Sequence, residues 1–148
     1  MKIVKESILN ERAKLALASG LVVIQNNKIL LVKPRGSGKK GTYSIPKGHV
    51  DPGESILKTA KRETKEETGI DPKNLVIKNP DQQKFIDYTD GDKIHKRVYY
   101  YSAYPRDKIK DKHFRKQKKE VEWVGFLTKD QALTRISPRF LPLLKLLK

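Results

Sequence analysis

Cysteine is absent from the sequence, and its absence excludes several kinds of site. Without thiols the chain has no disulfide framework, no thiolate nucleophile and no cysteine-ligated metal. The same absence suits a reducing compartment, and we expect a cytoplasmic protein. The three histidines, His49, His95 and His113, match no zinc-ligand spacing, and the chain has no HExxH sequence. Zinc is therefore not the metal that we expect.

Long apolar runs are absent as well. No run approaches the roughly 18 residues that a membrane-spanning helix needs, and the first residues lack the apolar stretch and cleavage site of a signal peptide. We therefore expect no membrane association. Repeats and low-complexity tracts are also missing. A chain of 148 residues can bury its own core, so we expect one domain over residues 1–148.

Acidic residues are scarce relative to basic ones. Seventeen Asp and Glu face 33 Lys and Arg, which gives a formal charge of +16. Residues 106–119 alone contain eight basic residues and two aspartates. This segment is either a solvated loop or a surface that attracts a polyanion. A polyphosphate-bridged dinucleotide, an RNA with a 5′-triphosphate and an inositol pyrophosphate all fit such a surface, and charge alone does not choose among them.

Three of the few carboxylates are nevertheless crowded together. Glu63, Glu66 and Glu67 stand at i, i+3 and i+4, so in a helix they share one face. Like charges in this arrangement weaken an isolated helix. The cluster is either a solvated acidic surface or a site for a hard divalent cation. Mg²⁺ fits the second interpretation, because it takes oxygen ligands from carboxylates and substrate phosphates.

The residues around this cluster predict a loop followed by a helix. Asp51-Pro52-Gly53 is a turn signal, Ser55 is a candidate N-cap, and Gly69 stands where a C-cap glycine belongs. Between the caps, an apolar stripe at helical spacing is expected to face the core. Its members are Ile56, Leu57, Ala60 and Thr64.

Strand patterns precede and follow the predicted helix. Residues 20–24 and 28–32 flank an Asn-Asn pair and predict a buried hairpin, and the long strand at 93–104 is rich in tyrosine and β-branched residues. A mixed sheet with helices on both sides is the expected α/β architecture. The other predicted elements are strands at 42–45, 74–78, 84–89 and 120–126, a short helix at 128–134 and a terminal helix within 137–148.

The segment from Gly48 to Ile70 resembles the Nudix box, in which Gly, Glu, Arg-Glu, Glu-Glu and Gly recur at fixed spacing. Thr64 is the one departure, because it occupies an aliphatic position. The resemblance implies a Nudix-type α/β/α sandwich with a mixed β-sheet. The matching residues are Gly48, Glu54, Arg62, Glu63, Glu66, Glu67, Gly69 and Ile70.

The same resemblance implies roles for these residues in the hydrolysis of a pyrophosphate link by water. The Gly48 carbonyl with Glu63 and Glu67 would ligate Mg²⁺, for which Mn²⁺ could substitute, and Glu66 would be a further ligand or the general base. Arg62 would orient Glu63, and Glu54 would brace the helix. Some family members take the base from outside the box. Our candidate for that role is Glu120, for which the alternative is an exposed glutamate at a strand edge.

The residues before the box bear on the substrate. Pro46-Lys47-Gly48-His49 resembles a run found in Nudix enzymes that cleave dinucleoside polyphosphates, and Lys47 could bind a phosphate. Arg35 lies in a basic loop, residues 33–40, that could also reach phosphates. Candidates for stacking on a base are Tyr43, Tyr99 and Tyr101. The alternative function is an RNA 5′-end pyrophosphohydrolase, or an RNA-binding protein, that uses residues 106–119.

Overall fold

The described part of the chain forms a mixed sheet of seven strands. The computed structural model describes residues 15–36, 41–115 and 119–148. The strands run in the order β4-β6-β1-β2-β7, while β3 pairs with β1 and β5 pairs with β6. Only β1 and β6 pair in parallel; the other described pairs are antiparallel. The strands are β1 (Ala16–Gln25), β2 (Lys28–Pro34), β3 (Lys47–His49), β4 (Leu75–Ile77), β5 (Lys84–Asp90), β6 (Lys93–Pro105) and β7 (Val121–Leu127).

The first two strands form the predicted hairpin. Asn26 and Asn27 both adopt positive φ, 51° and 57°, as a two-residue turn between right-handed twisted strands requires. β2 pairs with β1 only next to this turn, at Ile24 and Gln25. Farther from the turn, β3 takes the same edge of β1 at residues 18–20. The divergence of the hairpin therefore makes room for β3.

Helical elements cover both faces of the sheet, as predicted for an α/β/α sandwich. Helix α1 (Ile56–Thr68) packs on one face. Helix α2 (Lys129–Leu133) and a 3₁₀ helix (Pro138–Leu146, hereafter the 138–146 segment) pack on the other. Since alternate residues of β1 point to opposite faces, Leu21 and Val23 join the α1 side and Ala18 and Val22 the other. Within the described residues, no helix has the length and apolar character to cross a membrane.

Two predicted elements differ from the structure. Residues 42–45 were expected to form a strand, but only isolated bridges occur there, at Tyr43 and Ser44, and the strand next to the box is β3. Pro46 has no N–H to continue a ladder. The predicted terminal helix is the 3₁₀ helix Pro138–Leu146, which contains Pro142. Two short 3₁₀ turns, Pro72–Asn74 and Asp111–His113, complete the elements of the residues that the structure describes.

Candidate active site

Helix α1 begins and ends at the predicted caps. The Ser55 hydroxyl accepts a hydrogen bond from the Lys58 N–H at 3.1 Å. Gly69 adopts a left-handed conformation (φ 83°), and its N–H donates to the Lys65 carbonyl at 2.8 Å. A side chain at that φ would be strained, so glycine suits the stop. The caps fix the three clustered carboxylates on the last two turns of the helix.

Thr64 meets the demands of its apolar position. It is fully buried on the face of α1 that packs on the sheet, and its hydroxyl donates to the Ala60 carbonyl at 2.8 Å. The hydroxyl is therefore satisfied within the helix, and the methyl group is available for packing. The predicted stripe is confirmed: Ala60 is buried beside Thr64, and Ile56 and Leu57 pack at the edge of the same core.

Arg62 joins the helix to the loop before it. Its Nε and Nη2 donate to the two carboxylate oxygens of Glu54 at 2.8 and 3.0 Å, and Nη2 also donates to the His49 carbonyl at 3.0 Å. The Thr59 hydroxyl donates to Glu54 at 2.6 Å. Hydrogen bonds from Arg62 and then Thr59 lower the pKa of Glu54 to about 2. The same pairing raises the pKa of Arg62, so both groups stay charged.

The remaining nitrogen of Arg62 holds two members of the carboxylate cluster. Nη1 donates to Glu63 at 3.0 Å and to Glu66 at 3.2 Å. Glu63 is 3% exposed, whereas the Glu66 side chain is 31% exposed. One guanidinium therefore neutralises much of the repulsion between these carboxylates and sets their positions.

β3 brings the backbone of residues 47–49 against the cluster. The Lys47 N–H donates to the Glu67 carboxylate at 3.1 Å. Gly48 lies directly beside the Glu63 carboxylate, and a β-carbon at residue 48 would overlap it. Because β3 pairs with β1 through Ser19 and Gly48, the central strand of the sheet fixes this approach. A side chain at residue 48 would therefore fill the space that the carboxylate uses.

The carboxylates are turned toward protein donors in this structure. Among the described residues, no three His, Cys, Asp or Glu side chains converge in the manner of metal ligands. Glu63 and Glu66 accept from Arg62, and Glu67 accepts from the Lys47 backbone. The donor set still fits a hard cation, since it consists of carboxylate oxygens on one helical face beside a glycine without a side chain.

A cationic and aromatic cluster adjoins the carboxylates on the other side of Lys47. The Lys47 ammonium lies 5.8 Å from the centre of the Phe140 ring, and Phe140 meets Tyr88 edge-on at 6.1 Å. Arg139 and Lys96 lie 4.2 and 5.3 Å from the Tyr88 ring centre. We call these five residues the Tyr88 cluster. Burial, followed by repulsion from Lys96, lowers the pKa of Lys47 to about 8.

Four members of the Tyr88 cluster were not predicted as site residues. Tyr88 faces Lys96 across the β5–β6 pair, and Arg139 and Phe140 come from the 138–146 segment. The alternation of β5 could have shown that Ile86 and Tyr88 share a face. Only the tertiary fold brings that face to Lys47, so no local pattern marks the cluster.

Arg35 and Glu120 lie together where β2 ends and β7 approaches it. The Arg35 N–H donates to the Glu120 carbonyl at 2.5 Å, and Arg35 Nε donates to the Lys119 carbonyl at 2.6 Å. Glu120 is exposed. The hydrogen bond from its lysine partner on β2 and, more weakly, the charge of Arg35 lower the pKa of the Glu122 carboxyl on β7. Residues 37–40, which belong to the predicted basic loop, lie outside the described residues.

The three candidate tyrosines occupy different surroundings. Tyr101 is 5% exposed and packs in the core under α1, which leaves no free face for a base. Tyr99 contacts Phe85 edge-on at 5.8 Å on the α1 side of the sheet. Tyr43 packs against Trp123, with 5.6 Å between ring centres. Of the three, Tyr43 and Tyr99 are partly accessible.

The basic segment predicted at 106–119 is attached to the C-terminal end of α1. The Arg115 N–H donates to the Thr68 carbonyl at 2.7 Å, and the Arg115 backbone lies against Gly69. Ile109 is buried and is held by the side chain of Gln25. Residues 116–118 lie outside the described residues. The described part of the segment is therefore close to the helix that carries the carboxylates.

Comparison with known proteins links the chain to one family. A family model described as the NUDIX domain matches residues 14–147. The asymmetrical bis(5′-nucleosyl)-tetraphosphatase of Sus scrofa is 34% identical over 102 residues, which cover 69% of this chain and 68% of the pig protein. The enzyme of the same name from Rattus norvegicus is 38% identical over 83 residues, 56% of this chain and 55% of the rat protein. The chain thus spans between about half and two thirds of these relatives.

A solved structure extends the similarity over most of the chain. The C. elegans Ap4A hydrolase binary complex superposes with a TM-score of 0.68 at 25% identity, and the match covers 86% of this chain and 92% of that one. The α/β sandwich with its mixed sheet is therefore shared with this C. elegans hydrolase.

Proposed function

Because the chain belongs to the NUDIX domain family, we propose that it is a pyrophosphohydrolase that cleaves dinucleoside polyphosphates, represented by diadenosine tetraphosphate. Membership of the family confirms the predicted enzyme class, Nudix hydrolase. The observation that carries the proposal is the carboxylate cluster beside the cationic Tyr88 cluster. Arg62 holds Glu63 and Glu66, and the Lys47 N–H holds Glu67. Carboxylates that can bind a metal ion therefore lie next to basic side chains that can bind phosphates.

Two observations support the choice of substrate. The pig and rat relatives are named as tetraphosphatases of dinucleosides. The Pro46-Lys47-Gly48-His49 run resembles that of Nudix enzymes with such substrates, and the structure gives its lysine a place among aromatic and basic side chains. A polyanion with aromatic bases matches that chemistry.

Divalent metal ions are typical of the family, and we propose Mg²⁺ for this chain. The Gly48 carbonyl and the carboxylates of Glu63 and Glu67 would hold it. Bound Mg²⁺ supplies charge neutralisation at phosphate oxygens and lowers the pKa of bound water. Arg62 keeps Glu63 oriented while Glu54 anchors the other side of the guanidinium.

Phosphate and base binding are assigned to the Tyr88 cluster. Lys47, Lys96 and Arg139 present three positive charges that repel one another in the free protein, as their effects on the pKa of Lys47 indicate. A bound phosphate chain relieves that repulsion, because its charge is opposite. Tyr88 is partly accessible, so its ring offers a stacking surface for one nucleobase, while the buried Phe140 ring contacts it edge-on and supports it.

The proton of the attacking water requires an acceptor. Glu66 is partly exposed whereas Glu63 is buried, so water reaches Glu66 more readily than Glu63, and the Glu67 carboxylate accepts from the Lys47 N–H. We therefore propose Glu66 as the general base or as a further metal ligand. Glu120 is kept as the alternative base from outside the box.

The test is a hydrolysis panel with product chromatography in the presence of Mg²⁺. Diadenosine tetraphosphate, ATP, ADP-ribose and a 5′-triphosphorylated RNA are compared at equal concentration. We expect the dinucleotide to be cleaved fastest, to ATP and AMP. Glu67→Gln is expected to lower kcat by about a hundredfold or more, because it removes a charged ligand.

Matched glutamine variants give the controls. Glu122→Gln removes an exposed carboxylate that pairs with Lys33 at 2.6 Å, and it should leave kcat within about twofold. Glu66→Gln and Glu120→Gln separate the two candidate bases, and we expect the larger loss from Glu66→Gln. Preferred cleavage of RNA, or full activity of Glu67→Gln, would contradict the proposal.

A second function is favoured by one observation. The basic segment lies against the end of α1 through Arg115, so a longer polyanion bound at the carboxylates could continue onto it. RNA with a 5′-triphosphate has that form. The alternative substrate is therefore an RNA 5′ end. Its binding would depend more strongly on salt concentration than binding of the dinucleotide.

A further inference from the structure

A cavity of about 470 Å³ opens on the same side of the sheet as the Tyr88 cluster. It lies where β6 passes from its partner β5 to its partner β4, along residues 100–104. Asn79 turns the connection between β4 and β5 with a positive φ of 48°, and this connection forms one wall. The hairpin turn at Asn27 and the end of the 138–146 segment form the opposite walls.

The lining of this cavity combines positive charge, amides and tyrosines. Lys78 and Lys84 line it, and the Lys78 ammonium lies 5.7 Å from the Tyr104 ring centre. Tyr100 is half-buried there, and burial raises its pKa. Asn79 and Gln82 add amide groups, and the described lining residues include no Asp or Glu. The Asn27 amide pairs with the Lys148 backbone. Amides and hydroxyls can hydrogen-bond a base or a ribose, lysines can bind phosphates, and a tyrosine ring can stack on a base.

The register of β5 and β6 connects the cavity to the proposed active site. Tyr88 pairs with Lys96, and Lys84 pairs with Tyr100, so both pairs present side chains to the same face. Four residues separate the two pairs, which corresponds to about 13 Å along the strands. Tyr88 and Tyr100 also pack against the same core cluster. Strand β5 therefore runs from the cavity to the Tyr88 cluster.

We propose that this cavity binds the second nucleoside phosphate of the substrate. This inference rests on the proposed function, in which the Tyr88 cluster binds the first nucleotide. A polyphosphate-bridged dinucleotide has an identical group at its other end, and the Tyr88 cluster leaves that end unbound. Lys84 and Lys78 bind its phosphate, and Tyr100 contacts its base. The cavity therefore selects substrates with two nucleosides over those with one.

The test compares diadenosine tetraphosphate with ATP, which lacks both the second nucleoside and its phosphate. In the double variant Lys78→Gln/Lys84→Gln, we expect KM for the dinucleotide to rise about tenfold, equivalent to about 1.4 kcal/mol. KM for the mononucleotide should change less than about twofold. kcat should stay unchanged for both, because neither lysine belongs to the carboxylate cluster or the Tyr88 cluster.

A charge-matched control removes two exposed lysines elsewhere. Lys58→Gln/Lys65→Gln takes the same charge from the solvent-facing side of α1 and should leave both KM values unchanged. An equal rise in KM for both substrates in the cavity variant would assign the effect to the overall positive charge of the protein and overturn the proposal. A 5′-triphosphorylated RNA that alone responds to the cavity variant would also overturn it.

A binding measurement separates this inference from the proposed function. ADP is titrated into the metal-free protein, and amide chemical shifts are followed by NMR. We expect shifts at Lys84, Tyr100 and Ser102 that disappear in Lys78→Gln/Lys84→Gln. Such shifts would support the cavity as a nucleotide site even if the hydrolysis panel failed. Shifts confined to residues 88–96 and 139–140 would exclude it.

Discussion

Arg62 positions Glu63 and Glu66 of the carboxylate cluster. Its guanidinium reaches Glu54, Glu63, Glu66 and the His49 carbonyl at once. A lysine has one nitrogen at the end of a flexible chain and cannot form the fork that holds Glu54 through two bonds. The charge of Arg62 and its planar shape are both therefore needed.

We predict that Arg62→Lys lowers kcat by about ten- to a hundredfold, because Glu63 and Glu66 lose a shared positioning donor. Affinity for Mn²⁺, measured by isothermal titration calorimetry, should fall as well. The loss of a partly buried, hydrogen-bonded pair should lower the free energy of unfolding by about 1 to 3 kcal/mol.

Arg97→Lys is the matched control for this prediction. Arg97 also holds a carboxylate through two bonds, at 2.7 and 3.0 Å to Asp87, and its side chain is about as exposed as that of Arg62. Its replacement should affect stability without lowering kcat. If the two variants lose activity equally, Arg62 acts only through stability and has no positioning role.

At the scale of single residues, sequence spacing predicted the site residues that share one face of a helix. It did not predict the site residues that strand pairing brings together. Glu63, Glu66 and Glu67 could be grouped because helical geometry alone places them on one face. Tyr101 was a stacking candidate, but strand alternation does not tell which face is core, and the structure buries it under α1. Tyr88 joins Lys47 only through the pairing of β5 with β6 and the approach of Phe140.

Among the elements, the loop before α1 is tied to the helix through Glu54. Its carboxylate accepts hydrogen bonds from Arg62 and Thr59 on the helix and from the Asp51 N–H in the loop. The folded state therefore favours the charged carboxylate and lowers its pKa from 4.5 to about 2.

The lowered pKa of Glu54 makes the stability of this join dependent on pH. A carboxylate with a lower pKa in the folded state stabilises the protein fully above pH 4.5, and the contribution is lost as the pH falls toward 2. We predict that the difference in free energy of unfolding between wild type and Glu54→Gln is constant above about pH 5 and shrinks below pH 4.5. Urea unfolding from pH 7 to pH 3 measures it. A difference that stays constant to pH 3 would contradict this account.

Elements bounded by strong local signals were predicted, and those shaped by tertiary pairing were not. The caps of α1 and the Asn26-Asn27 hairpin depend on neighbouring residues, and both are confirmed. β3 has only three residues, and its place depends on the divergence of β1 from β2, which no local pattern reveals. The 138–146 segment has the predicted apolar pattern, but it forms a 3₁₀ helix that contains Pro142.

For the whole molecule, the charge of +16 bears on the choice between a dinucleotide and RNA. Single-stranded RNA bound through five phosphates should lose about a hundredfold in affinity between 50 and 200 mM salt, since each contact contributes a slope of about 0.7. A dinucleotide touches fewer basic groups. We predict that KM for diadenosine tetraphosphate rises less than about tenfold over the same range, measured by product chromatography.

A steeper rise of KM with salt would indicate that the basic segment, residues 106–119, binds the substrate. Arg106→Gln/Lys108→Gln removes two charges from its described part, and under the RNA hypothesis this variant should flatten the salt dependence. Under the dinucleotide hypothesis it should leave the salt dependence unchanged. Composition predicted a polyanion as ligand, but it could not choose among polyanions, because that choice depends on where the charges lie in the fold.

The parallel pairing of β1 with β6 separates partners by 80 residues along the chain, from Ala16 and Lys96 to Val23 and Ala103. On the ribosome, β1 therefore waits about 4 to 16 seconds for its partner, at roughly 5 to 20 residues per second. The carboxylates and their arginine are complete once residue 69 has been made. The Tyr88 cluster needs residue 140. During synthesis, the part of the site that is proposed to bind metal is therefore made well before the part that is proposed to bind the nucleotide.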